Sequence, residues 1–96
     1  MKRGTKGAWS AKYDWVEESV GANVSQYRRD RGLTQEQLAD QVGLEVKSLQ
    51  RIEYGRSNST ARVLRALGDA LGVSVNEFFL PNKVQPAKRG RPKKAP

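Results

Sequence analysis

A small all-α domain of five short helices, carried between two basic arms, follows from three features of this 96-residue sequence. Apolar residues recur at three- and four-residue spacing from Val20 to Phe78, the period of amphipathic helices. Capping residues and glycines cut that stretch into five segments. Charge divides the chain as well. Six basic residues and no acidic one fall in the last fourteen positions and four basic residues in the first thirteen, whereas positions 14–82 hold 8 basic and 10 acidic residues. The net charge of +8 therefore sits in the arms. We divide the chain into a basic and aromatic N-terminal arm (1–13), a helical domain (14–81) and a disordered basic tail (82–96).

The absences narrow the chemistry. There is no Cys and no His, which removes disulfides, thiolate nucleophiles, the commonest general base and the commonest metal ligands. No enzyme activity, metal or cofactor is expected. No apolar run reaches membrane-spanning length, and the N-terminus lacks the apolar core of a signal peptide. The expectation is a cytoplasmic, nucleoid-associated protein with no membrane partner. A body that is not basic, between cationic arms, suggests that the arms supply much of any attraction to phosphate; the plain alternative is charge kept for solubility.

The first helix is expected from about Ser19 to Arg31, with Val20, Val24 and Tyr27 on its inner face and Gly21 weakening it slightly. Asp14 with Glu17 can cap an extra turn or two ahead of it. Trp9, Tyr13 and Trp15 are expected to pack on the bundle or on a second subunit; stacking on bases is the alternative.

The second helix has a complete start signal. Thr34 can cap it, Gln37 closes a capping box, and Leu33 and Leu38 stand where a hydrophobic staple needs them. Leu38 and Val42 share one face, with the small Ala39 beside them, and Gly43 ends the helix. In the third helix (45–54), Leu49 and Ile52 make the inner stripe with Leu44 tucked in at the start. Val46, Lys47, Ser48, Gln50 and Arg51 are left facing out. Two short amphipathic helices joined by a glycine turn fit a helix-turn-helix; periodicity alone fits any helical hairpin equally.

Gly55 ends the third helix, and Ser59 can cap the fourth, whose inner face is Val63, Leu64, Leu67 and Leu71, with Gly72 as its stop. Ser74 and Glu77 can form another capping box, stapled by Val73 and Phe78, for a short fifth helix ending by Pro81. The composition then shifts to Pro, Lys, Arg and Gly without apolar periodicity, that of a disordered tail.

Residue by residue, the central segment resembles the helix-turn-helix of the phage repressor and Cro (XRE-like) family. The match is carried by GLTQEQLA, Gly43-Leu44 and Leu49-x-x-Ile52-Glu53-x-Gly55, and covers roughly Ser19 to Leu80. The resemblance implies a five-helix lambda-repressor-like bundle in which Arg28 pairs with Glu53. It also implies that Gln35 contacts the DNA backbone and braces the recognition helix, and that Arg56 and Asn58 meet phosphates. On such a recognition helix the outward residues meet base edges. Lys47 and Arg51, one turn apart, suit guanine O6 and N7; Val46 can rest on a thymine methyl; Ser48 and Gln50 suit base or phosphate. Two positions depart from the family. Ser59 stands where a Pro is usual. Glu45 stands where a small hydroxyl cap is usual, and its carboxylate is either repelled by phosphate or accepts from a cytosine amino group. Members of the resembled family often pair through the C-terminal end, so Phe79 and Leu80 are candidates for a homodimer contact or for burial in the monomer. In the tail, Lys88, Arg89, Gly90, Arg91, Pro92 and Lys93 resemble an AT-hook for A·T minor grooves; a generic basic tail or a localisation signal is the alternative.

These readings make the chain a sequence-specific regulator of transcription, most simply a repressor, whose partner is double-stranded DNA. Two alternatives stay open. One is an antitoxin-type protein, with Trp9, Tyr13 and Trp15 or Phe79 facing a protein partner. The other is an architectural protein coating A·T-rich DNA.

Overall fold

One long helix replaces the expected start at Ser19. In the computed structural model, which describes residues 12–82, helix α1 runs unbroken from Asp14 to Asp30. Asp14 and Glu17 lie inside its first turn, and Tyr13 is the N-cap with no side-chain cap bond. The acidic pair therefore favours this end through the helix dipole and does not cap it. Helices α2 (Gln35–Val42), α3 (Val46–Glu53) and α4 (Ala61–Leu71) follow, then a 3-10 turn over Val75–Phe79. Among the described residues the fold is all-helical, with four α-helices where five were expected.

The missing fifth helix has a local cause. Ser74 Oγ accepts from the N–H of Asn76, two residues on, which begins a tighter turn. Glu77 does not return to the cap; its carboxylate accepts from the Tyr27 hydroxyl at 2.9 Å. Five residues are also too few to repay an α-helical nucleus. At α4 the cap is Thr60, whose Oγ1 accepts from Val63 N at 3.2 Å, and the expectation for Ser59 is corrected by one residue.

The core lies between α1 on one side and α2, α3 and α4 on the other. It is built from Val20, Val24, Leu38, Ala39, Leu49, Ile52, Leu64, Leu67, Leu71 and Phe78. Helix α1 packs chiefly on α3 and on the 3-10 turn. Gly21 is what lets it approach: a Cβ there would stand 2.3 Å from the carbonyl oxygen of Ile52 and 2.8 Å from that of Glu53. Read from sequence as a weak point of the helix, it is the contact that brings α1 onto the end of α3.

Asn23, two residues on, clasps the C-terminal end. Its amide donates to the carbonyls of Phe78 (2.9 Å) and Leu80 (2.8 Å), and its oxygen accepts from Asn82 at 2.6 Å. Phe78 is fully buried, with Tyr27 set edge-on to it at 6.3 Å. Phe79 and Leu80 remain 39% and 52% exposed, so burial within the monomer does not account for them.

Candidate nucleic-acid interface

The start of α2 and its turn into α3 are set by a few local bonds. Thr34 Oγ1 accepts from Gln37 N at 3.0 Å and Thr34 N donates to Gln37 Oε1 at 2.8 Å, closing the capping box. Gly43 takes φ 80°, a left-handed conformation that costs a residue with a Cβ about 1 kcal/mol or more. This lets Leu44 N bond back to Ala39 O at 2.9 Å. Glu45 is extended (φ −71°, ψ 147°) and α3 begins at Val46.

The inner side of α3 is anchored twice. Leu49 and Ile52 enter the core, and Glu53 closes the helix with its side chain 4% exposed. Arg28 grips that carboxylate in a fork, Nε to Oε2 at 2.7 Å and Nη2 to Oε1 at 3.0 Å, and gives Nη1 to the Leu33 carbonyl at 2.8 Å. A buried bidentate pair of this kind fixes geometry while returning little net stability, because both charges were taken from water. Gln35 extends the network: Nε2 donates to Glu53 Oε1 at 3.0 Å, and Oε1 accepts from Gln50 Nε2 at 3.3 Å. A continuous polar chain thus joins α1, the first residue of α2 and the side of α3. Arg28, Gln35, Gln50 and Glu53 were each assigned a role from sequence; the Gln35–Gln50 link was not, since fifteen residues separate the two and only the fold brings them together.

The outer side is sparsely committed. Lys47 and Arg51 are exposed, and neither makes an ion pair or side-chain hydrogen bond among the described residues. Ser48 and Gln50 are half-buried. Val46 corrects the sequence reading: it was placed facing out, and it packs partly against the core. Its position at the very start of α3, beside Leu44, turns it under the turn. Arg56 N bonds back to Arg51 O at 2.9 Å, folding the following loop onto the helix end. Arg56 and Asn58 are exposed there and share a shallow hollow with Asp14, Glu17 and Glu18 of α1. Phosphate approaching Arg56 meets those carboxylates too, which lowers the attraction of this end relative to Lys47 and Arg51.

Tyr54 was missed. It caps the end of α3 and is 62% exposed, between the exposed Arg51 and Arg56. The signal was available, because the Leu49, Ile52, Glu53 stripe leaves position 54 outside. Tyr13 and Trp15 are 43% and 46% exposed, which leaves part of each ring outside the bundle. Trp9 and the tail residues Lys88, Arg89, Gly90, Arg91, Pro92 and Lys93 lie outside the described residues. The Tyr27 phenol is pushed above the ordinary tyrosine range, first by its hydrogen bond to Glu77 and then by burial. Among the described residues no cluster of acidic side chains could hold a metal ion, and no helix is long and apolar enough to cross a membrane.

Residues 24–78 match the helix-turn-helix family HTH_3. The chain is 40% identical over 67 residues to an HTH-type transcriptional regulator, y4dJ, of Sinorhizobium fredii, covering 70% of this chain and 87% of that protein. It is 38% identical over 58 residues to the immunity repressor protein of Bacillus phage phi105, covering 60% of this chain and 40% of the repressor. Among solved structures, the restriction-modification controller protein C.AhdI of Aeromonas hydrophila superposes with a TM-score of 0.63 at 28% identity, over 66% of this chain and 96% of the controller.

Proposed function

The chain belongs to the helix-turn-helix family of transcription regulators, and from that premise we propose that it is a sequence-specific repressor whose helix α3 reads the major groove. The observation that carries the reading is the two-sidedness of α3. One side is locked by Arg28, Glu53, Gln35 and Gln50, and the other presents Lys47 and Arg51 unpaired. A helix held rigidly by its back with free cations on its front is what groove recognition asks for, because side chains must meet base edges without further ordering. Lys47 and Arg51 contact guanines. Gln35 at the first turn of α2, together with Tyr54, Arg56 and Asn58, contacts the sugar-phosphate backbone. Ser48 and Gln50 contribute at the edge of the groove, Gln50 within the limits of its bond to Gln35. Val46 offers a thymine methyl only the part of its surface that the core leaves open.

In this reading the protein acts as a homodimer. The exposed Phe79 and Leu80, beside the clasped C-terminal end, form the contact between copies, and two half-sites about 34 Å apart make a near-palindromic operator. The basic tail, through Arg89, Gly90 and Arg91, enters adjacent A·T minor groove and adds affinity more than sequence preference. Repression follows by occlusion of the promoter.

The test is selection from random genomic fragments across a salt series, with the full chain and with a chain ending at Asn82. Both are expected to retain one shared motif. The full chain binds more tightly, with a salt slope steeper by up to about five phosphates' worth. A shortened chain that selects nothing, beside a full chain that takes any A·T-rich fragment, would overturn the reading in favour of an architectural coat.

A further inference from the structure

Of the N-caps that follow α1, Glu45 alone does not spend its side chain on the helix it starts. Thr34 accepts from Gln37 N, Thr60 from Val63 N and Ser74 from Asn76 N. Glu45 makes no cap bond, is exposed, and has no ion-pair partner among the described residues. The Glu side chain is one methylene longer than that of Asp, a good cap, and folds back less well on the N2 or N3 amide, so its carboxylate is left at the tip of α3. That tip enters the major groove first when a helix of this kind docks. Meanwhile two of the five outward positions are partly withdrawn from base reading, Val46 by its packing on the core and Gln50 by its bond to Gln35. The exposed free polar groups at the front of α3 are then Glu45, Lys47 and Arg51, with the half-buried Ser48 hydroxyl between them.

Their chemistry is complementary. Lys47 and Arg51 are donors without acceptor capacity and suit guanine O6 and N7; an ionised Glu45 is acceptor-only and suits an exocyclic amino group. In the major groove of a G·C pair the cytosine N4 amino group lies directly beside guanine O6. One pair, or two neighbouring pairs, therefore offers both what the cations and what the carboxylate require. Lys47, two residues on, also offsets the repulsion between this carboxylate and phosphate. We propose that Glu45 is a specificity-determining residue that accepts a hydrogen bond from the N4 amino group of a cytosine in the operator. This inference rests on the major-groove reading above, and it deepens that reading by making the centre of each half-site G·C.

The experiment is selection of full-length wild type, Glu45→Ala and Glu45→Ser from a library of randomised duplexes, with melting temperatures measured in parallel. Wild type is expected to require cytosine at one position of its motif. Both variants lose that requirement, binding cytosine and other bases there within about twofold, while wild type discriminates by about tenfold. All other positions of the motif stay as they were. Glu45→Ser restores a capping hydroxyl, so it melts above wild type although its base preference has gone; a role confined to the helix end could not move the two readouts in opposite directions. Three results would overturn the inference. Variants with the wild-type motif at every position, whatever their overall affinity, would reduce Glu45 to a source of charge. A lost preference for a base other than cytosine would refute the assignment of the base. If wild type selects no motif at all, the major-groove reading itself fails and the inference falls with it.

Discussion

Two polar anchors tie distant parts of the chain to α1, and they are made of different chemistry. At the end of α3, Arg28 and Glu53 form a buried ion pair whose Glu53 Oε1 also accepts from Gln35, with Gln50 next in line. At the C-terminal end, Asn23 offers a neutral amide to the carbonyls of Phe78 and Leu80, and its oxygen is capped by Asn82. The first anchor binds chiefly side chain to side chain and runs to the side of α3; the second binds chiefly side chain to backbone and stops at the exposed Phe79 and Leu80. A charged fork is stiff and directional, suited to orienting a helix. A neutral amide is cheaper to bury and suits a segment of backbone that has left its helical bonds unmade. One anchor sets where α3 points, and the other keeps a short 3-10 turn on the core.

Breaking each anchor should show the difference. The largest effect is expected from Glu53→Ala, which strands the Arg28 guanidinium in a site only 12% exposed. Loss of one partner of a buried pair costs about 3–5 kcal/mol, so thermal melting by circular dichroism should fall by more than about 12 °C. Asn23→Ala comes next. It leaves two carbonyls without their donor and costs about 1–3 kcal/mol, yet in the cold the folded fraction should select the same motif as wild type, because nothing in this anchor touches α3. Any loss of affinity comes through the proposed Leu80 contact between copies and is recovered at higher protein concentration. Lys47→Ala and Arg51→Ala reverse the pattern: no change in melting, and operator binding weakened by about 1–3 kcal/mol each by titration. Tyr27→Phe is the smallest, removing a hydrogen bond worth about 1 kcal/mol. It also sharpens the pH dependence. Because the folded Tyr27 phenol sits above its ordinary range, its contribution is complete below the unfolded value of about 10 and is lost as pH rises through the folded value. Alkaline denaturation of Tyr27→Phe should therefore lack that component.

The two anchors also differed in how far they could be read in advance. The helix-turn-helix was legible because its signals are local: a capping box over four residues, a glycine at the turn, and a stripe at Leu49 and Ile52. The Arg28–Glu53 pair came through resemblance, since no spacing rule links residues 25 apart. The Asn23 clasp was invisible. A single Asn in a helix carries no mark of the backbone it will hold, and the carbonyls it bonds belong to a turn whose geometry was itself misjudged. That misjudgement came from Ser74 and Glu77, a correct capping-box pattern whose glutamate was claimed by Tyr27 across the core. Likewise Gly21 has a meaning only once Ile52 and Glu53 lie against it. On the outer face of α3 the period separated Lys47 and Arg51 from the core correctly, and failed at Val46, where the helix begins and the period does not yet hold.

The central claim is that the ion pair orients the reading helix more than it stabilises the fold. It is tested most directly by replacing both partners together, Arg28→Met with Glu53→Leu, and measuring melting temperature and affinity for the wild-type operator on the same sample. With no charge stranded, the account predicts melting within about 8 °C of wild type, roughly 1 kcal/mol. It also predicts operator affinity lower by about tenfold or more, because Gln35 and Gln50 lose the carboxylate that fixes them. A double variant that melts normally and binds the operator as tightly as wild type would contradict it.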